Sequence, residues 1–193
     1  MSKWEFLLIS QIKDEVLRIN NEYINSSDDN FNFWEQHIKY VVHEAIQLAE
    51  KYNADKEIVE LGALLHDVAL MSKVGTRSEH HIKGVVISEK LLKKYNYPEE
   101  RLNRVLGCIK NHRKSQNATN IEELCVADAD ILAHYDNIPM CFEVAFKFNK
   151  IDTTNKEEWI KYFEHDYLDL SDKTKETFKE RYLNIIDVLF GNL

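Results

Sequence analysis

Apolar residues recur at intervals of three and four along most of the chain, the spacing that puts them on one face of an α-helix. By that rule about eight helical segments are expected. The first runs from about Trp4 to Tyr23 and gives way to the polar stretch NSSDDN, and the second runs from about Trp34 to Tyr52. A third begins near Asp55, a good N-cap, and carries Ile58, Leu61, Leu64, Leu65 and Val68 on one face to about Leu70.

After a loop at MSKVGTRS the pattern resumes near 79 to 95 and 98 to 113, the latter opened by Pro98, whose missing N–H costs nothing in a first turn. Thr119 to Glu122 and Thr154 to Glu157 have the spacing of capping boxes, and a last helix is expected from about Ser171 to Phe190. With five Gly and two Pro there is little turn chemistry for sheets. The expectation is an all-α helical bundle, a single domain over 1–193.

Charge narrows the partners. A formal net charge of -8 excludes a general binder of extended nucleic acid, which needs accumulated Lys and Arg, but leaves room for a small anionic substrate on a local basic patch. No apolar run approaches the ~20 residues of a membrane span, so a cytoplasmic protein is expected, and its oligomeric state is not written in the sequence. Cys108, Cys125 and Cys141 lie in apolar helical stretches and read as reduced core thiols.

Helical phase sorts the eight histidines. His66 and Asp67 end an apolar helix in ALLHDVAL, where a charged Asp is expensive to bury unless paired or bound to a cation. His37 shares a face with Val41 and Leu48, whereas His43 falls among Lys39, Gln47 and Glu50 and is assigned to the surface, as is His165 in the polar tail. His112 ends the stripe Leu102, Val105, Ile109; His80 heads one through Gly84 and Ile87, and His81 a weaker one through Val85 and Leu92, leaving the choice between those two open. Asp128 has Leu132 and Tyr135 on its face and is preferred as the buried acid over Asp130, which pairs by spacing with His134. Such a mixed imidazole and carboxylate set suits Zn, Fe, Mn, Ni or Co, although a metal-free hydrogen-bonded network has the same phase.

In order, HIKYVVHEAIQLAEKYN, ELGALLHDVAL and VADADIL resemble the HD superfamily, whose signature is a His, a His-Asp doublet and a distant Asp. The resemblance spans about residues 34 to 140, flanked by an N-terminal helix and a C-terminal extension. It implies a helical bundle with a divalent ion (Mn, Mg, Fe, Co, Ni or Zn) held by His37, His66, Asp67 and Asp128. In two-metal members histidines such as His80 and His112 bind a second ion; one ion per chain is the default expectation.

The implied activity is hydrolysis of a phosphoester in a nucleotide or related small phosphate. A divalent ion supplies hydroxide from water near neutral pH and neutralises a phosphoryl oxygen. Asp67 is expected to orient the water and His80 or His112 to protonate the leaving oxygen. Among the nearby cations Lys73, Arg77, Lys83, Lys110, Arg113 and Lys114, Arg77 and Arg113 are chosen for substrate because Arg grips phosphate bidentately. No Gly-rich GxxxxGK[ST] loop accompanies them. The alternatives are an HD-type di-iron oxygenase and a non-catalytic helical binding or regulatory module.

Overall fold

The stretch Ile121–Asp136 is buried around nearly its whole circumference, from Cys125 through Ala129 to Ala133, which obliges it to sit at the centre of the molecule. It is described here as α7, in a computed structural model that describes residues 3–147, 152 and 154–191. Before it in the chain come α1 (Lys3–Ser26), α2 (Lys39–Tyr52), α3 (Lys56–Leu65), α4 (Val68–Met71), α5 (His80–Lys94) and α6 (Glu99–Asn111). After it come α8 (Ile138–Lys147), α9 (Lys156–Asp169) and α10 (Asp172–Phe190). Every regular element among the described residues is helical, as the spacing predicts, and no helix there is long and apolar enough to cross a membrane.

Helices α2, α3 and α6 pack on α7, α5 pairs with α6 and α4, and α1 lies over α3 and α4. Ile38, Ile58, Leu61, Leu64, Leu65, Leu102 and Ile109 are fully buried between these layers, together with the free thiols Cys108 and Cys125, and the free thiol Cys141 is buried on α8. Helix α9 rests on α7 and α10, and Phe163 and Leu170 close that side.

Two local departures from regular α-helix shape the site. The segment expected as one helix to Leu70 breaks at His66 and Asp67, where Asp67 adopts φ -105° and ψ 14°, and restarts as α4. Trp34–Ile38, expected as the start of α2, is a turn of π-helix leading into it, and such turns occur often at functional sites. The caps also differ by a residue: Asn120, not Thr119, caps α7 by accepting from Glu123 N–H at 3.0 Å, while Glu123 accepts from Thr119 N–H at 2.7 Å. Asn155, not Thr154, caps α9. An amide one position along fits the cap better because its oxygen reaches the second or third N–H of the helix.

Candidate metal centre

Three segments bring side chains to one point. The π turn presents His37, the break after α3 presents His66 and Asp67, and α7 presents Asp130. His37 Nε2 lies 2.9 Å from Asp130 Oδ1, 3.2 Å from His66 Nε2 and 3.9 Å from Asp67 Oδ2. A second group abuts the first: His80, the first residue of α5, and His112, just past α6, face each other through Nε2 at 2.9 Å. Asp67 Oδ1 is 3.2 Å from His80 Nε2 and 3.9 Å from His112 Nε2, while its Oδ2 is 3.6 Å from His66 Nε2. Asp67 therefore offers one oxygen to each group.

The tautomers follow from the backbone. His66 Nδ1 meets the Ala63 carbonyl at 2.8 Å, His80 Nδ1 that of Arg77 at 2.5 Å, and His112 Nδ1 that of Ile109 at 2.7 Å. A carbonyl only accepts, so each Nδ1 carries the hydrogen, and in its neutral form each ring leaves Nε2 as a bare lone pair. Bare lone pairs about 3 Å apart repel unless a proton or a cation lies between them. Two donors each about 2.1 Å from one ion at right angles stand about 3.0 Å apart, so these nitrogen spacings fit shared coordination. His37 Nδ1 is buried and has no hydrogen-bond partner among the described residues.

Burial pushes the Asp130 carboxyl up, but the His37 hydrogen bond and the nearby charges of His66 and His37 outweigh it and hold the group well below the usual carboxylate range. Asp67 is likewise lowered, burial opposing and the charges of His66, His37 and His112 prevailing. His112 is pushed down to about 4 by burial first and the charge of His66 second, so it is neutral at pH 7. Anionic carboxylates and neutral imidazoles are the forms that ligate metal. Both groups can hold an ion, and so can His37, Asp130 and His134 together.

Asp128 does not join this cluster, which corrects the expected ligand set. Its Oδ1 accepts from Ser115 Oγ at 2.5 Å and Ser171 N–H at 2.8 Å, and its Oδ2 from Ser171 Oγ at 2.5 Å and Thr174 Oγ1 at 2.6 Å. The carboxylate is fully buried, as phase implies, but hydroxyls rather than a cation compensate it. Asp130 occupies the place assigned to it. The sequence carried one usable signal, the i, i+4 pair of Asp130 and His134, both of which line the cavity.

His80 rather than His81 enters the cluster. His43 and His165 are exposed, as read from their neighbours. A cavity of about 590 Å³ opens over the metal-capable groups. Of the six cations considered, only Arg77 and Arg113 line it. Lys73 is tied instead to Ser26 O at 2.6 Å. Sequence reading missed the remaining walls: Tyr23, Phe31 and Phe33 on one side, Met140, Val144 and Lys147 of α8, and Tyr162 of α9.

The HD domain model matches residues 34–134, more than half of the chain. An uncharacterized protein of Clostridium beijerinckii is 30% identical over 95 residues, covering 45% of this chain and 60% of that one, so the chain spans less than two thirds of that relative's length. Among solved structures, YpgQ of Bacillus subtilis aligns with a TM-score of 0.69 at 23% identity, over 96% of this chain and 95% of its own. An HD-superfamily hydrolase of Bacillus thuringiensis aligns with 0.71 at 21% identity, over 96% and 94%. A predicted HD-superfamily hydrolase from an uncultured Thermotogales bacterium aligns with 0.61 at 19%, over 91% and 88%. These likenesses establish a shared fold. With the family match covering most of the bundle and His37, His66, Asp67 and Asp130 standing together in that order, the chain belongs to the HD domain family.

Proposed function

We propose that this chain is a metal-dependent phosphohydrolase that cleaves a phosphoester in a nucleotide or related small phosphate. The observation that carries the reading is the placement of Asp67, with one oxygen toward His37 and His66 and the other toward His80 and His112, in a cavity that Arg77 and Arg113 also line. A carboxylate so placed suits two ions better than the single ion expected from sequence. His37, His66, Asp67 and Asp130 would hold one, and Asp67, His80 and His112 the other. His80 and His112 then act as ligands rather than as proton donors.

When bound, divalent ions lower the pKa of water and neutralise phosphoryl oxygens. The chain's own residues do the rest. Arg77 and Arg113 grip the non-bridging oxygens and fix the phosphoryl group over Asp67. The cavity volume of about 590 Å³ suits a drug-sized or nucleotide-sized ligand, and the edge-to-face rings of Phe31 and Phe33, with centroids 4.8 Å apart, give a flat group an apolar wall.

The test is elemental analysis of the purified chain beside Asp67→Ala, followed by a phosphate-ester screen with Mn, Mg, Co and Ni. Bound divalent ions lost in the variant, with metal-stimulated phosphate release, support the reading. Two irons with O₂ consumption and no phosphate release would replace it with an HD-type oxygenase, the second reading that paired clusters favour. Neither metal nor metal-stimulated turnover would leave a helical binding module.

A further inference from the structure

His134 stands one helical turn beyond Asp130 on α7, and its Nδ1 lies 2.8 Å from Asp166 Oδ2. Asp166 belongs to α9, outside the residues matched by the family model. The His134 ring lies over that of His37, with centroids 5.8 Å apart and planes 30° apart, and one of its nitrogens comes within 4.8 Å of donor atoms on His37 and Asp130. Its side chain is 25% exposed, against 16% for Asp166, and it lines the cavity. A carboxylate accepts, so Nδ1 carries the hydrogen, and Nε2, which has no protein partner among the described residues, is left for the cavity.

Resting on the phosphohydrolase reading above, we propose that His134 is a further catalytic residue and Asp166 its positioning residue. Asp166 fixes the tautomer and ring orientation of His134 so that Nε2 accepts a hydrogen bond from the attacking water beside Asp130. The arrangement has the logic of a carboxylate orienting an imidazole in a hydrolytic triad. Packing alone does not ask for it: α9 is already held by Trp159 and Phe163, both buried, and an apolar pair would fill the same space without a charge to compensate.

The experiment takes the full chain with His134→Gln, Asp166→Asn and the double variant. Three readouts are used: metal content, steady-state kinetics on whichever phosphate ester the parent hydrolyses, and ¹⁵N-histidine NMR of the metal-free protein, with His134→Gln assigning the resonance. The expected result is an Nδ1–H tautomer for His134, perturbed in Asp166→Asn. Each variant should lose at least about tenfold in kcat with KM within about twofold. Metal content should match the parent, and the double variant should be no worse than His134→Gln. An Nε2–H tautomer, an unchanged kcat in an active enzyme, a rise in KM alone, or loss of metal in His134→Gln would each overturn the proposal while leaving the hydrolase reading intact. A parent that hydrolyses no phosphate ester would overturn that reading and the catalytic role of His134 with it, the tautomer then reporting only how Asp166 orients the ring.

Discussion

Asp128 and Asp130 stand two residues apart on α7 and serve opposite sides of it. Asp130 accepts from His37 at 2.9 Å, and Asp128 accepts from Ser115, Ser171 and Thr174 on the far side. Removing Asp130 takes a carboxylate from the proposed ion site and leaves the fold's other contacts in place. Asp130→Ala should therefore lose metal by elemental analysis, while His43→Ala, at an exposed position, should leave metal content unchanged. Full metal retention in Asp130→Ala would remove it from the ligand set.

Asp128→Ala should do the reverse. The side chain is fully buried, and its loss strands the hydroxyls of Ser115 and Ser171, leaves Thr174 only its Tyr52 partner, and frees the turn between α9 and α10. Breaking a buried, fully bonded charge of this kind costs roughly 3 kcal/mol or more. Urea unfolding of the metal-free variant measures that loss, and metal content relative to the folded fraction should match the parent. A variant as stable as the parent would show that the hydroxyls find other partners at no cost.

Stability of the metal-free protein should fall with acid. Burial and the charge of His66 push His112 from 6.5 down to about 4, so the folded chain holds it neutral where the unfolded chain protonates it. Its contribution is whole above pH 6.5, shrinks as pH falls from 6.5 to about 4, and is gone below that. The ceiling is on the order of 3 kcal/mol. Urea midpoints of the parent and His112→Gln at pH 7 and pH 5 isolate it, since the gap between parent and variant should narrow at pH 5. An equal gap at both values would mean that His112 is not the titrating group.

The helices and every member of the cluster but Asp130 were legible because their signals are local. An amphipathic period marks α3, α5 and α6, and an Asp beside a His at an apolar helix end is too costly without a partner, which singled out His66 and Asp67. Choosing between Asp128 and Asp130 was beyond periodicity, because α7 is buried on every side and both phases point inward. The partners that satisfy Asp128 come from distant segments, at Ser115 and Ser171. The cavity walls were illegible for a similar reason: Phe31, Lys147, Tyr162 and Asp166 come from polar or weakly periodic stretches, and only tertiary packing brings them to the site.

Gly62 links the packing of the bundle to the metal centre. It lies in α3 where that helix crosses α6 and α7, and a Cβ there would sit 2.7 Å from Cys108 Cβ and 3.1 Å from Val126 Cγ2. Neither contact is with the far end of a flexible chain, so the helices must part. The gain in helix propensity of about 1 kcal/mol does not exceed the overpacking cost of about 1 to 3 kcal/mol and falls short of it over most of that range. His66 follows one turn after Gly62 and Asp130 one turn after Val126, so the same displacement spreads two proposed ligands of one ion. Gly62→Ala should thus lower metal affinity as well as stability, read by chelator competition on protein that is still folded. Destabilisation with unchanged affinity would mean that α3 yields at Cys108 without moving His66 relative to Asp130.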